Sequence, residues 1–206
     1  MSLKQLSALS VLACTLSNPG ATSAADLSVG GRIQSGGACS ITLGNGGIFD
    51  LGAMSQNDFS GQLDQRNRET MLTLNCQHPT KIGIDVVDNR KGTASEDGPW
   101  YFGLGNTAIG HYGISSFYAR VDGMDGFQIS RDKGSTTWDH KKEMWSSSGF
   151  GSDATISWDV AGPQIEPVAF KTLTTTLVIS FHPKYDSAFA DEREFDGSAT
   201  LELVYL

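Results

Sequence analysis

Apolar and polar residues alternate one by one in segment after segment of this chain, and that period of two rules out most helical architectures. Ala169–Phe181 is the longest example. Leu173, Thr175, Leu177, Ile179 and Phe181 fall on one face, and Thr172, Thr174 and Thr176 on the other. Thr70–Cys76 aligns Leu72, Leu74 and Cys76, and Lys81–Val87 aligns Ile82, Ile84 and Val86. In Tyr112–Val121 the alternating set is Phe117, Ala119 and Val121, and Ala154–Val160 reads as a short strand. Gly197–Leu206 places Ala199, Leu201, Leu203 and Tyr205 opposite Thr200, Glu202, Val204 and Leu206. No stretch past the N-terminal apolar run keeps a helical period for three turns. With 24 glycines and turn residues between the segments, the pattern predicts an all-β sandwich. Asp88–Trp100 and Met124–Ser152 are rich in Gly, Ser, Asp and Trp and read as loops or hairpins.

The N-terminus reads as an export signal over residues 1–24. Lys4 supplies the positive start, Leu6–Leu16 the apolar run, and Ala21–Ala25 the small residues suited to cleavage. Removing it takes away one of 15 basic residues and none of 23 acidic ones, which leaves a net charge of −9. Nucleic acid and anionic membranes are poor partners for such a surface, since both need clustered Lys and Arg. About 180 residues remain, enough for one domain with a sizeable core. Of three cysteines, Cys14 leaves with the signal, so Cys39 and Cys76 form the one internal pair. In an oxidising compartment a disulfide is the favoured state. Between signal and domain, residues 25–38 make an extended arm. Leu27, Val29, Gly31 and Ile33 alternate there with Ser28, Gly30, Arg32 and Gln34, before a Gly36–Gly37 joint.

A search for chemistry turns up little. His78, His111, His140 and His182 lack metal-ligand spacing, and nothing matches a phosphate loop or nucleophile elbow. No cofactor, metal or catalytic residue is assigned, and the chain is not expected to be an enzyme. Ser130–Trp138 resembles a single Asp-box hairpin, with Trp138 one place late. Such boxes shape a turn and perform no catalysis. Trp158 reads as core, whereas Trp100, Trp138 and Trp145 sit in loop-like stretches where aromatic faces could bind sugar.

The alternating arm, the cysteine pair and the terminal strand together resemble the subunits of chaperone–usher fimbriae (pili) of Gram-negative bacteria. The nearer resemblance is to the fimbrial-like family called domain of unknown function 1120, over essentially the whole mature chain. Asp26–Gly31 with Ala38–Cys39, Thr73–Cys76, Asp88–Ala94, Phe102–Gly105, Ile109–Tyr112, Lys171–Thr174 and Asp196–Leu206 carry it. Fimbrial subunits often have a glycine early in the terminal segment. This chain has Arg193 there, and its nearest glycine is Gly197.

The resemblance implies an immunoglobulin-like (pilin-type) β-sandwich over residues 39–206 that lacks its final strand and is completed by donor-strand exchange. Leu27, Val29 and Ile33 would be the inserting side chains of the arm, with Gly31 at a narrow position between them. Leu201, Leu203 and Tyr205 would line the acceptor groove or contact the chaperone. The expected partners are a periplasmic chaperone, an outer-membrane usher and other fimbrial subunits, with a host or surface glycan as a further one. The expected location is the cell-surface fimbria, reached through the periplasm. The expected function is that of a structural subunit, with a part in adhesion. The alternative is a secreted carbohydrate-binding β-sandwich using Trp100, Trp138 or Trp145.

Overall fold

Strand after strand in this chain puts its apolar row on one side, and two such layers bury those rows against each other. A computed structural model describes residues 38–56, 67–140, 148–160 and 165–206. The export signal, the arm residues Leu27, Val29, Gly31 and Ile33, and Trp145 lie outside the described residues. The strands are β1 (Cys39–Leu43), β2 (Asn67–Thr80), β3 (Ile82–Asp88), β4 (Gly110–Val121) and β5 (Met124–Asp132). They continue with β6 (Asp139–His140), β7 (Ser148–Gly149), β8 (Ala154–Val160), β9 (Phe170–Pro183) and β10 (Ala199–Tyr205). One helical turn, α1 (Tyr185–Ala188), lies between the last two.

The fold is all-β, and every pairing is antiparallel. The strand order is β1-β2-β9-β4-β5-β8-β3-β10, with β6 beside β5 and β7 beside β4. The path folds over at the β4–β5 hairpin, where only Arg120↔Asp125 and Val121↔Met124 pair, while β5 pairs with β8 over seven residues. Between the two layers lie Leu72, Leu74, Leu173 and Leu177 from one side and Ile82, Ile84, Val86 and Ile156 from the other. Trp158 is fully buried among them, as the sequence suggests. The faces expected for β2, β3 and β9 are those observed.

Two local features differ from expectation. Met124–Asp132, inside the stretch read as loops or hairpins, is a full nine-residue strand. In β4 the apolar phase also changes. Phe117 pairs with Thr176 but Arg120 with Thr174, so one extra residue bulges out, and Tyr118 takes a φ of 57°. Tyr112 and Ile114 before the bulge, and Ala119 and Val121 after it, are all buried, whereas Phe117 is only half-buried. An uninterrupted alternation would have missed this switch.

The β4–β5 hairpin turns on Asp122–Gly123, with φ of 48° and 85°, the mirror-image turn that suits strand twist. The Asp122 carboxylate accepts the Thr172 N–H at 2.7 Å, the Lys171 N–H at 3.1 Å and the Thr172 hydroxyl at 3.1 Å. Desolvation pushes this carboxyl up. The N–H groups of Thr172 and Lys171, the Thr172 hydroxyl and the Lys171 charge outweigh that and hold it below its usual value of 3.8. A depressed carboxyl stabilises the fold above its unfolded pKa, and the contribution disappears as pH falls through the folded one. Asp122→Ala should cost about 1 kcal/mol near neutral pH, since water competes for so exposed a group. Urea titrations should show the cost shrinking below about pH 4. A cost that does not change with pH would mean the turn conformation alone is responsible.

Candidate functional site

The strand path begins at β1 and ends at β10, so each has a partner on one side only among the described residues. Their inward side chains show the consequence. Ile41, Leu43, Leu201 and Leu203 are half-buried, while the corresponding rows of β2 and β3 are fully buried. The two open edges meet at one end, where the Tyr205 hydroxyl accepts the Cys39 N–H at 3.1 Å. Towards Leu43 and Ala199 they border a groove of about 670 Å³. Leu104, Tyr112, Ile114, Leu177 and Ile179 form its floor. Among the residues expected at the terminal strand, Leu201 lines the groove and Leu203 packs half-buried against the core. Tyr205 is 54 % exposed and does not line the groove; its hydroxyl joins the two edges at Cys39.

Each wall is fastened by polar groups. On the β1 side, the segment after Leu43 is held by Arg68, whose Nε donates to the Asp50 carbonyl and Nη2 to the Leu51 carbonyl, both at 3.2 Å. The Cys39–Cys76 disulfide, its Cα atoms 4.0 Å apart, joins directly opposed residues of β1 and β2. On the β10 side, the Asn89 side-chain amide donates to the Ser198 and Thr200 hydroxyls, both at 3.0 Å. Arg90 pairs with Asp196.

Behind that wall, the Asp88 carboxylate accepts the N–H of Arg90 at 2.8 Å and of Gly103 at 2.9 Å. Gly103 must be glycine, because a Cβ there would lie 2.1 Å from the Arg90 carbonyl oxygen. Gly197 approaches Tyr112 closely too, with a Cβ position 2.6 Å from the ring. Burial, aided by Asp88, raises the Tyr112 pKa, so the phenol stays protonated on the groove floor. Three stretches that stand apart in sequence (Asp88–Ala94, Phe102–Gly105 and the start of Asp196–Leu206) therefore build one end of one groove. Periodicity could not signal this, since Asn89 and Ser198 are 109 residues apart.

Chemically, the groove offers apolar surface and two strand edges. Such a combination takes up an extended apolar segment. Among the described residues no group of three or more His, Cys, Asp or Glu could hold a metal.

The described tryptophans named as sugar-binding candidates lie apart. Trp138 rests against the Arg131 guanidinium, 4.8 Å from ring centre to carbon. Trp100 lines a second recess, about 690 Å³, together with Tyr101, Glu96, His111, His182 and Lys184. His111 is buried there. Its ring lies 5.0 Å from that of His182, nearly parallel, and its Nδ1 is 3.0 Å from the Ser95 hydroxyl. Burial, then the neighbouring His182, lower its pKa from 6.5, and Glu96 opposes them more weakly. A neutral imidazole is thus built into the fold. Its contribution is complete above pH 6.5 and declines as pH falls through the lowered value, because the unfolded chain binds the proton first. His111→Gln should flatten the loss of stability between about pH 7 and about pH 5 in urea titrations. An unchanged slope would assign that loss to other groups.

Residues 27–111 match a family model described as a protein of unknown function (DUF1120). The matched span takes in the arm, the disulfide, β1 to β3 and the loop packed against Asp196. The stretches Lys171–Thr174 and Asp196–Leu206 lie beyond it, so the match is shorter than the whole-chain resemblance expected. No curated protein and no solved structure matches the chain.

Proposed function

We propose that this protein is a structural subunit of a chaperone–usher surface fimbria. Its groove is filled first by a periplasmic chaperone and then by the N-terminal arm of another subunit. The observation that carries this reading is the groove bordered by β1 and β10, each paired on one side only among the described residues, with Leu43 and Leu201 half-buried beside it. An inserted strand would supply main-chain hydrogen bonds to an edge and alternate side chains to the floor. Leu27, Val29 and Ile33 of the arm have the spacing of such a strand, and an arm of about ten residues reaches ~33 Å, the length of a sandwich strand. Insertion of one molecule's arm into the next is a non-closing contact, and repetition gives a fibre. Outer-membrane assembly through an usher and display on the cell surface belong to the same reading.

The decisive experiment deletes Asp26–Gln34 from the chain co-expressed with its chaperone. Polymerisation should fail while the chaperone complex survives. A variant that still polymerises, or that loses the chaperone as well, contradicts the assignment.

A further inference from the structure

The recess beneath Trp100 lies on the outer face of the same two strands whose inner face floors the groove. His111, Gly113 and Ser115 of β4 stand opposite His182, Ser180 and Val178 of β9. Their neighbours of opposite phase, Tyr112, Ile114 and Ile179, line the groove. The recess is therefore a separate cavity on the opposite face of the shared ladder, with Ile114 bordering both.

Three observations mark it as built to stay open. Its volume, about 690 Å³, falls within the range of small-molecule sites. Trp100 is 38 % exposed yet fixed in place, because its ring lies against the backbone of Gly149 and Gly151. A Cβ on either glycine would come within 3.1 Å of that ring. Gly113 is the third. Glycine inside a strand weakens it, and usually a close backbone approach or an unusual φ explains it. Neither applies here, since a Cβ at Gly113 would meet nothing nearer than 3.9 Å. What the glycine does is keep the floor clear between Trp100 and His182.

The lining identifies the chemistry of the guest. Trp100 and Tyr101 provide aromatic surface, Ser115 and Ser180 hydroxyls, Glu96 an acceptor and Lys184 a donor. One acid against one lysine gives no excess charge to hold a phosphate or a cation. The two imidazoles are stacked and lack a third ligand among the described residues, which removes a metal. A pyranose has an apolar C–H face for the aromatic surface and a rim of hydroxyls that both donate and accept. We propose that this recess is a saccharide-binding site, with Trp100 as the platform and Glu96, His182 and Lys184 as hydroxyl partners.

The test titrates the full chain with D-galactose, D-glucose, D-mannose and N-acetyl-D-glucosamine, each as the free sugar and as a multivalent polyacrylamide conjugate. Binding is followed by calorimetry and tryptophan fluorescence. At least one sugar should bind, either in both forms, as a free-sugar site would, or as the conjugate alone, as a glycan-chain site would. Trp100→Ala should weaken it roughly thirtyfold, as for other central aromatic anchors. Gly113→Val is the stronger variant, because a β-branched residue suits the strand while filling the recess. It should remove binding from a protein that remains folded. Met124→Ser, at an exposed position that lines neither the groove nor the recess, should bind as wild type does. The proposal is overturned if none of the sugars binds in either form, or if Gly113→Val binds as well as wild type.

Discussion

Replacing Cys39 and Cys76 together with alanine is expected to lower the unfolding free energy by about 2–5 kcal/mol. The bridge closes a loop of 37 residues, for which chain entropy alone gives about 3–4 kcal/mol. Its position adds to this. β1 is five residues long and has β2 as its one strand partner among the described residues. Ile41 and Leu43 are only half-buried, so burial holds them weakly. Without the bridge, β1 should detach before the rest of the sandwich melts and take one wall of the groove with it. Urea unfolding of the oxidised, reduced and double-alanine proteins would test this. The reduced and substituted proteins should shift together, and amide exchange should rise first along Cys39–Leu43. A loss below about half a kilocalorie per mole would mean that β1 is held by its ladder alone.

The second large effect concerns the groove. A synthetic peptide copying Asp26–Gln34 should stabilise a protein truncated to begin at Ala38. At a hundredfold excess over its dissociation constant the gain is about 2.7 kcal/mol, read as a rise in the urea midpoint. Each aliphatic side chain that enters the groove contributes about 1.5–3 kcal/mol before ordering costs. A peptide with Val29→Asp must instead carry a carboxylate onto Leu104, Ile114 and Leu177, and should give no rise at any soluble concentration. Placing the change in the peptide keeps the protein's own stability out of the comparison. Equal stabilisation by both peptides would show that the arm's side chains do not enter the groove.

Most of the sandwich was legible because burial on one face imposes a period of two, and β2, β3, β9 and β10 carry that period plainly, while β8, buried on both faces, reads only as a short strand. β5 was legible only as part of a loop-or-hairpin stretch, because Met124–Asp132 mixes Gly126, Gln128 and Ser130 into its rows. Gly126 is needed there, since a Cβ would lie 2.6 Å from Val121 Cγ2. The Asp122–Gly123 pair, a strong hairpin signal, was the clue that would have recovered the strand. The disulfide came from counting cysteines. The groove was hidden, because Leu104, Ile114 and Leu177 have the same local pattern as any core residue. Only the strand order shows that the layer above them ends, among the described residues, at the β1 and β10 edges. The recess was less visible still. Trp100 stood out in sequence, but its supports, Gly149 and Gly151, and its facing partners on β9 come together only in the fold.

On the two proposals together, the β4–β9 ladder would be a party wall with a tenant on either side. Its hydrogen bonds are common property, so whatever quiets its thermal breathing from within also prepays part of the ordering cost of a guest outside. If both proposals hold, a molecule locked into a filament would grip a sugar more tightly than the same molecule adrift, although the two occupants never touch.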